Sequence, residues 1–320
     1  MPTATTLTAE AVTWGYRLFL DRDPESQSVT ADKLKYLRTT QDLRRELLGS
    51  EEYTSANPVS FRVPFSGHEP SLVIDDWHDV QQLFGHVQRV WERQGESEPY
   101  WSVLTLDRFR ADSIHDTRAN FYKSGVDSVT TFLKTLERNA INRASLTTCL
   151  EYGCGVGRVT TSLAQRFDKV VAYDISKSHL QIAERYMSEL NQRNVTFCHV
   201  GELDDLITFP KVDAVYSLIV LQHNPPPLIR LIIRRLIQAL NVGGVAFFQV
   251  PTYIPGYRFA VADYLAGDFR EEGIETHVLA QREIFEIVRE EQGHLLEVFE
   301  DGWAGSGPGM RSNTFLVQKA

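Results

Sequence analysis

The chain of 320 residues lacks several things, and each absence excludes a class of protein. Cysteine is scarce: Cys149, Cys154 and Cys198 form no C-x-x-C pair, and an odd, scattered set does not read as a disulfide framework. All three fall in or beside predicted strands, where a buried, reduced thiol is expected, and a cytoplasmic location follows. No apolar run approaches the ~20 residues that span a bilayer. Met1–Glu10 shows neither the basic nor the apolar region of a signal peptide. Positive charge is not in excess either. The formal net charge is −9, whereas a nucleic-acid partner favours a basic face. His68, His78 and His86 are spaced irregularly, with no H-x-x-x-H and no carboxylate cluster, so no metal site is expected. A G-x-S-x-G elbow for a serine nucleophile is absent, as are internal repeats and low-complexity segments. What is left, 42% hydrophobic and 23% charged residues, describes an ordinary globular chain, long enough for a core domain with an appendage.

The rest of the chain is organised around Thr148–Arg158, TCLEYGCGVGR, followed by VTTSLAQRFDKVVAYDIS. An apolar run ends at Cys149 and Leu150, and glycines recur at 153, 155 and 157. Thr160–Phe167 reads as a helix, and a second apolar run, Lys169–Tyr173, closes on Asp174. Strand, glycine loop, helix and strand make a nucleotide-binding βαβ half. Glycines are needed where a ligand must touch the main chain with no Cβ in the way. Asp174, at the end of the second strand, is placed to accept both hydroxyls of a ribose. A dinucleotide fingerprint would want its third glycine at Arg158, and Glu151 would set a negative charge near a pyrophosphate. Both features disfavour a nicotinamide-dependent oxidoreductase. They suit a ligand carrying an ammonium and a sulfonium.

The run E-Y-G-C-G-V-G resembles the first motif of class I S-adenosylmethionine-dependent methyltransferases. That resemblance implies an α/β, Rossmann-like fold: a mostly parallel seven-stranded sheet with helices on both faces. It implies S-adenosylmethionine as cofactor, with Glu151, Gly153, Cys154, Gly155, Gly157, Asp174, Ile175 and Leu218 around it. It also places the adenine at the corner Gly201-Glu202-Leu203, where Glu202 or the backbone of Leu203 takes the exocyclic amine. Asp204 and Asp205 compete for that role.

Residues 1–57 read as a separate helical module. Thr8 caps a helix with Val12, Tyr16, Phe19 and Leu20 on one face, and Pro24 breaks it. Thr30 caps a second helix, and Gln41–Leu48 forms a third, stopped at Gly49. WGYRLFLDRDP resembles the opening of a small helical module appended to bacterial surface-polysaccharide and glycosyltransferase proteins, which implies docking rather than catalysis. Residues 58–99 comprise a Pro- and Gly-punctuated linker, Asn57–Pro70, and an amphipathic helix through Val80, Leu83, Phe84, Val87, Val90 and Trp91.

Residues 100–320 are then the catalytic domain. Tyr100, Trp101, Phe121 and Tyr122 either belong to the core or form a cap whose aromatic faces attract the sulfonium. A helix, Val126–Asn139, leads into the glycine motif, and His179–Asn191 is the helix after Asp174. Strands are expected at Val195–Val200, Ala214–Leu221, Val245–Pro251, His294–Glu300 and Asn313–Gln318. Three prolines after LQHN fix a turn before helix Leu228–Leu240, and Asn241–Gly244 turns into the next strand. The segments P-x-W-S-V-L-T, F-Y-x-S-G, LQHNPP and FFQVPTY resemble a bacterial methyltransferase group. The insertion Tyr253–His277, with Tyr257, Arg258, Tyr264, Asp268 and Arg270, is where such enzymes select their acceptor. Gln281–Glu290 is a further helix, and Asp301–Met310 is a Gly-rich loop, either closing over substrate or simply joining a hairpin.

Methyl transfer from a sulfonium needs near-attack geometry and, for a hydroxyl acceptor, a base. His223, expected at the C-terminal end of the fourth strand, is the candidate base, with a structural histidine in a turn as the competing reading. Tyr122 is the runner-up, as a base or as a hydrogen-bond donor. A non-catalytic scaffold keeping the fold for binding alone is a third alternative, against which the intact loop, Asp174 and His223 count. A sugar, glycan or related metabolite is the leading acceptor, methylated on oxygen. A natural-product small molecule is the alternative.

Overall fold

The computed structural model describes residues 6–56, 77–267, 273–304 and 309–320. The linker Asn57–Pro70 with His68, the insertion residues Asp268 and Arg270, and residues 305–308 of the Gly-rich loop lie outside the described residues. The chain divides into two compact units, Met1–Pro64 and Phe65–Ala320.

The first unit is helical. α1 (Ala9–Leu20) begins where the Thr8 hydroxyl accepts the Ala11 amide at 3.1 Å. α2 (Gln27–Tyr36) starts a turn earlier than the sequence suggests: Ser26, not Thr30, supplies the cap, its hydroxyl accepting the Val29 amide. α3 (Thr40–Leu48) carries a reciprocal capping box between Thr39 and Asp42 and ends at Gly49. A fourth helix, α4 (Glu51–Ala56), follows. Val12, Tyr16, Leu43 and Leu47 make the small core.

In the second unit, α5 (Trp77–Ser97) buries the expected stripe, Val80, Leu83, Phe84, Val87 and Val90. α6 (Ile114–Arg138) starts at Ile114 instead of Val126, so Phe121, Tyr122 and Ser124 lie inside a helix. The sheet unit then runs β1 (Thr148–Tyr152), α7 (Thr160–Ala164), β2 (Lys169–Asp174), α8 (Lys177–Glu189), β3 (Val195–His199) and β4 (Val212–Ser217). It continues with α9 (Pro226–Gln238), β5 (Leu240–Tyr253), α10 (Val261–Ala266), α11 (Gln281–Glu290), β6 (Gly293–Asp301) and β7 (Arg311–Lys319). Three expectations need correcting. β4 stops at Ser217, because Leu218–Val220 leaves the ladder and Leu221–His223 is a turn of 3₁₀ helix. Pro226 and Pro227 form the first turn of α9 rather than preceding it, where their missing amides cost nothing. Asn241–Gly244 is not a turn but the start of β5, whose pairing with β4 slips at this point while Gly243 takes φ +80°.

The seven strands lie in the order β3-β2-β1-β4-β5-β7-β6. All neighbours are parallel except β7, which runs antiparallel to both β5 and β6. Helices cover both faces over two apolar cores. Leu150, Val171, Val215 and Phe248 face α9 on one side, and Cys149, Val170, Ala214 and Phe247 face α6 on the other. Each such buried side chain contributes roughly 1.5–3 kcal/mol. The chain winds outward from β1 to β3, then returns to β4 on β1's other side. The resulting switch point, between the C-terminal ends of β1 and β4, is where this architecture leaves a crevice. The fold is the Rossmann-like fold of class I methyltransferases.

Candidate functional site

At the switch point the strand ends open into a cleft whose empty volume, mouth included, is about 820 Å³. β1 ends at Tyr152, and the chain reverses through Gly153 and Gly155 at φ +77° and +53°. A Cβ on Gly153 would collide with Val220, and one on Gly155 would lie 2.8 Å from Val103 Cγ2. The absence of side chains on these glycines lets Val220 and Val103 close on the loop. The amides of Gly153 and Cys154 donate to the Tyr173 carbonyl at 2.8 and 3.0 Å. Asp174, 7% exposed, ties the loop to the next helix: Oδ2 accepts from Gly155 N–H at 2.7 Å and Oδ1 from Ser176 N–H at 2.9 Å.

Two buried ionisable side chains flank the loop. Glu151 is 3% exposed, its Oε2 has no hydrogen-bond partner, and burial pushes its carboxyl up to about 8. Arg158 occupies the place of a dinucleotide fold's third glycine and turns its guanidinium under the loop. There Nη1 donates to Ser128 Oγ at 3.2 Å and Ser124 Oγ at 3.3 Å. Burial lowers its pKa.

β4 ends in an unusual turn: Ile219, a β-branched residue, sits at φ +61°. Its amide donates to Gln249 Oε1 at 3.0 Å. The following 3₁₀ turn brings His223 to the cleft, 5.1 Å centroid to centroid from the Trp91 ring of α5. Burial pushes the His223 imidazole down to about 4, partly offset by its hydrogen bond to the Glu275 carbonyl. The ring is therefore neutral at physiological pH.

Of the residues singled out in the sequence, Glu151, Gly153, Cys154, Gly155, Asp174, Ile175, Leu218 and His223 meet in this one cleft. Others do not line it. Gly157 lies behind the loop, where a Cβ would be 3.3 Å from Ala183 of α8. The Tyr122 hydroxyl donates to the Val156 carbonyl at 3.0 Å, its ring stacks on Tyr186 with centroids 3.6 Å apart, and burial raises its pKa. Tyr100, Phe121 and Tyr122 pack with Phe109 and Val156 as a core under the loop, not as a cap over it. Leu203 is buried in the main core, and Glu202 is exposed at the cap of the 3₁₀ turn Leu203–Ile207. The Gly201 carbonyl beside them already accepts from Gln88 of α5 at 3.0 Å. α5 instead supplies Val87 and Trp91 to the cleft, and it is anchored there by Glu92, which accepts the Lys177 amide at 3.0 Å. Sequence reading saw those two residues only as one apolar stripe. His179 was likewise read as a helix start, yet it is 1% exposed and lines the cleft, with Nε2 against Pro99 O at 3.1 Å.

Residues 149–244 match the family model described as a methyltransferase domain. The chain carries a class I, S-adenosylmethionine-dependent methyltransferase domain. The cofactor fits the residues present: Glu151, with an unpaired buried carboxyl oxygen, and Asp174 both line the cleft, which suits a cationic ligand carrying hydroxyls. The methyltransferase domain resembles the ubiquinone biosynthesis O-methyltransferase of Alkalilimnicola ehrlichii, 27% identical over 59% of this chain and 66% of that protein. Phosphoethanolamine N-methyltransferase 3 of Arabidopsis thaliana is 30% identical over 32% of this chain and 21% of that protein. The chain thus spans less than two thirds of the length of either relative. Among solved structures, the magnesium protoporphyrin IX methyltransferase of Synechocystis with bound S-adenosylhomocysteine shares the fold. Its TM-score is 0.50 and its identity 20%, covering 73% of this chain and all of that one. Among the described residues no helix is long and apolar enough to cross a membrane.

Proposed function

We propose that the protein transfers the methyl group of S-adenosylmethionine to an oxygen of a sugar, glycan or related hydroxyl-bearing metabolite. The acceptor class rests on the lining left over once the cofactor residues are set aside. Trp91, Val103, Ile219, Val220, His223 and Asn224 are among those that remain, and the only Lys or Arg lining it among the described residues, Arg158, is turned under the glycine loop. Among the described lining residues a phosphate or carboxylate would find no free side-chain counter-charge, whereas an uncharged hydroxyl needs none. In this reading Glu151 Oε2 accepts from the cofactor's ammonium and the spare lone pairs of Asp174 accept from its ribose hydroxyls. Ile175 and Leu218 flank it. The domain's part in the reaction is to align acceptor oxygen and methyl group in a near-attack arrangement. His223 stands beside that arrangement as the group that takes the hydroxyl proton, and the helical first unit serves as a docking module. Apolar Val87, Val103 and Val220 also favour a second acceptor class, the hydroxyl of a natural-product small molecule.

The test is mass spectrometry of sugar, glycan and metabolite pools incubated with the protein and methyl-labelled S-adenosylmethionine. Label on a hydroxyl oxygen is the expected result. Label confined to amines or to phosphate-bearing compounds would overturn the acceptor class.

A further inference from the structure

Behind the cleft a chain of hydrogen bonds runs from the backbone of Ile219 to the ring of His223, and its direction is fixed at both ends. At the first end Ile219 N–H, which can only donate, meets Gln249 Oε1 at 3.0 Å. That settles which way the Gln249 amide faces. Its Nε2 donates to Gln222 Oε1 at 3.1 Å and to Ser312 Oγ at 2.7 Å. Gln222 is oriented in turn, so its Nε2 donates to His223 Nε2 at 3.2 Å. At the far end the Glu275 carbonyl, which can only accept, lies 2.8 Å from His223 Nδ1. Both ends demand the same tautomer: the proton on Nδ1, the lone pair on Nε2. Gln249 is 0% and Gln222 5% exposed, so water does not compete for these groups. Reversing either amide would set two donors or two acceptors face to face. The turn itself is pinned where His277 N–H donates to the Gln222 carbonyl at 2.7 Å. The Glu275 side chain is held by His277 and Tyr264.

We propose that Gln222, oriented by Gln249, is a positioning residue that keeps His223 in the Nδ1–H tautomer with its Nε2 lone pair held ready for a proton. The functional consequence rests on the reading of His223 as the proton acceptor; the tautomer can be tested without it. An arriving hydroxyl replaces the Gln222 amide at Nε2, one donor for another, while the bond to Glu275 stays intact. As the oxygen–methyl bond forms and the sulfur–methyl bond breaks, the hydroxyl proton moves to Nε2. The products are the methyl ether, S-adenosylhomocysteine and an imidazolium still bonded to the Glu275 carbonyl.

Nitrogen NMR of the full chain with ¹⁵N-labelled histidine reads the tautomer directly, His223 being the resonance pair lost in His223→Gln. The wild type is expected to show Nδ1 protonated and Nε2 bare; a proton on Nε2 overturns the proposal before any variant is made. In Gln222→Glu a carboxylate, which cannot donate, faces the ring. Nε2 then gains a proton, and the ring becomes cationic near neutral pH. Gln222→Met, close in size, removes the donor alone, and the Nε2 resonance should move toward that of an unbonded lone pair while Nδ1 stays protonated. A His223 spectrum unchanged in either folded variant removes Gln222 from the role. Calorimetry with S-adenosylhomocysteine runs alongside: failure to bind it would count against the cofactor reading and leave the tautomer result standing.

Discussion

Glu151 is buried beside the glycine loop with one oxygen unpaired, and its carboxyl titrates at about 8. At pH 7 it is therefore mostly protonated. An ammonium against Oε2 favours the ionised form, so cofactor binding should lower that pKa and expel a proton. Affinity for S-adenosylhomocysteine is accordingly expected to rise between pH ~6 and ~8. Titration calorimetry in two buffers of different ionisation heat measures the proton released; affinity that falls over this window would mean that the cation sits elsewhere. Asp174→Ala should weaken the same binding tenfold or more, since hydrogen bonds to a charged group contribute roughly 1.5–3 kcal/mol each. For His223 the geometry moderates the expectation. A positioned base contributes ~10²–10⁴-fold, and a ring titrating at about 4 is a weak one, so His223→Ala should cost about 10²-fold in turnover. Cofactor affinity should be little changed, and His223→Asn should not restore the rate. The sequence showed Glu151 and Asp174 because they stand at strand ends around the glycine loop, and His223 because it follows the fourth apolar run just before a proline turn. It did not show how basic any of them is. That depends on burial, and for His223 on a carbonyl from Glu275, distant in the chain.

Among the elements, α6 and the glycine loop touch most closely at Gly125, where a Cβ would collide with the Arg158 carbonyl. Gly125→Ala must push the helix or the loop aside. Overpacking of this kind costs typically 1–3 kcal/mol, and thermal unfolding should register it as a lowered midpoint. Cofactor affinity should fall as well, because the displaced backbone continues into the loop; an unchanged melting curve would show that the contact yields freely. Elements with strong local signals were legible. α11 has the bounds the sequence suggests, Gln281–Glu290, and β2 follows its apolar run. The errors fell where tertiary pairing outweighed local preference. Asn241–Gly244 carries turn chemistry, yet it lies inside β5, as a slip in the ladder between the Leu240 and Val245 pairings with β4. α6 grows past Val126 because Phe121 and Tyr122 find a buried cluster under the loop, something no window of sequence displays.

At the scale of the molecule, every described residue lining the cleft comes from the second unit. Removal of residues 1–57 is therefore expected to leave S-adenosylhomocysteine affinity as it is in the full chain. A truncated protein that melts cooperatively yet fails to bind would place part of the site in the first unit. That unit exposes the large apolar side chains of Trp14, Leu18 and Tyr36. The β1–β2 pair was legible from its βαβ signature, and the seven-stranded sheet followed from the family resemblance that signature carries. The closure of the cleft by α5 was not, since Gln88, Glu92 and Trp91 carry no motif and act only on residues far along the chain.

Ile219 has a consequence for how the protein would adapt. A β-branched residue in the left-handed region costs about 1–3 kcal/mol, sustained by the stability of the rest of the domain. Laboratory selection for heat resistance alone would be expected to reach position 219 early, because Asn accepts that conformation with little penalty. Such variants would melt higher and keep the backbone amide that tethers position 219 to Gln249, but they would put a polar side chain in place of an apolar one in the cleft lining. The chain as it stands keeps the strained residue.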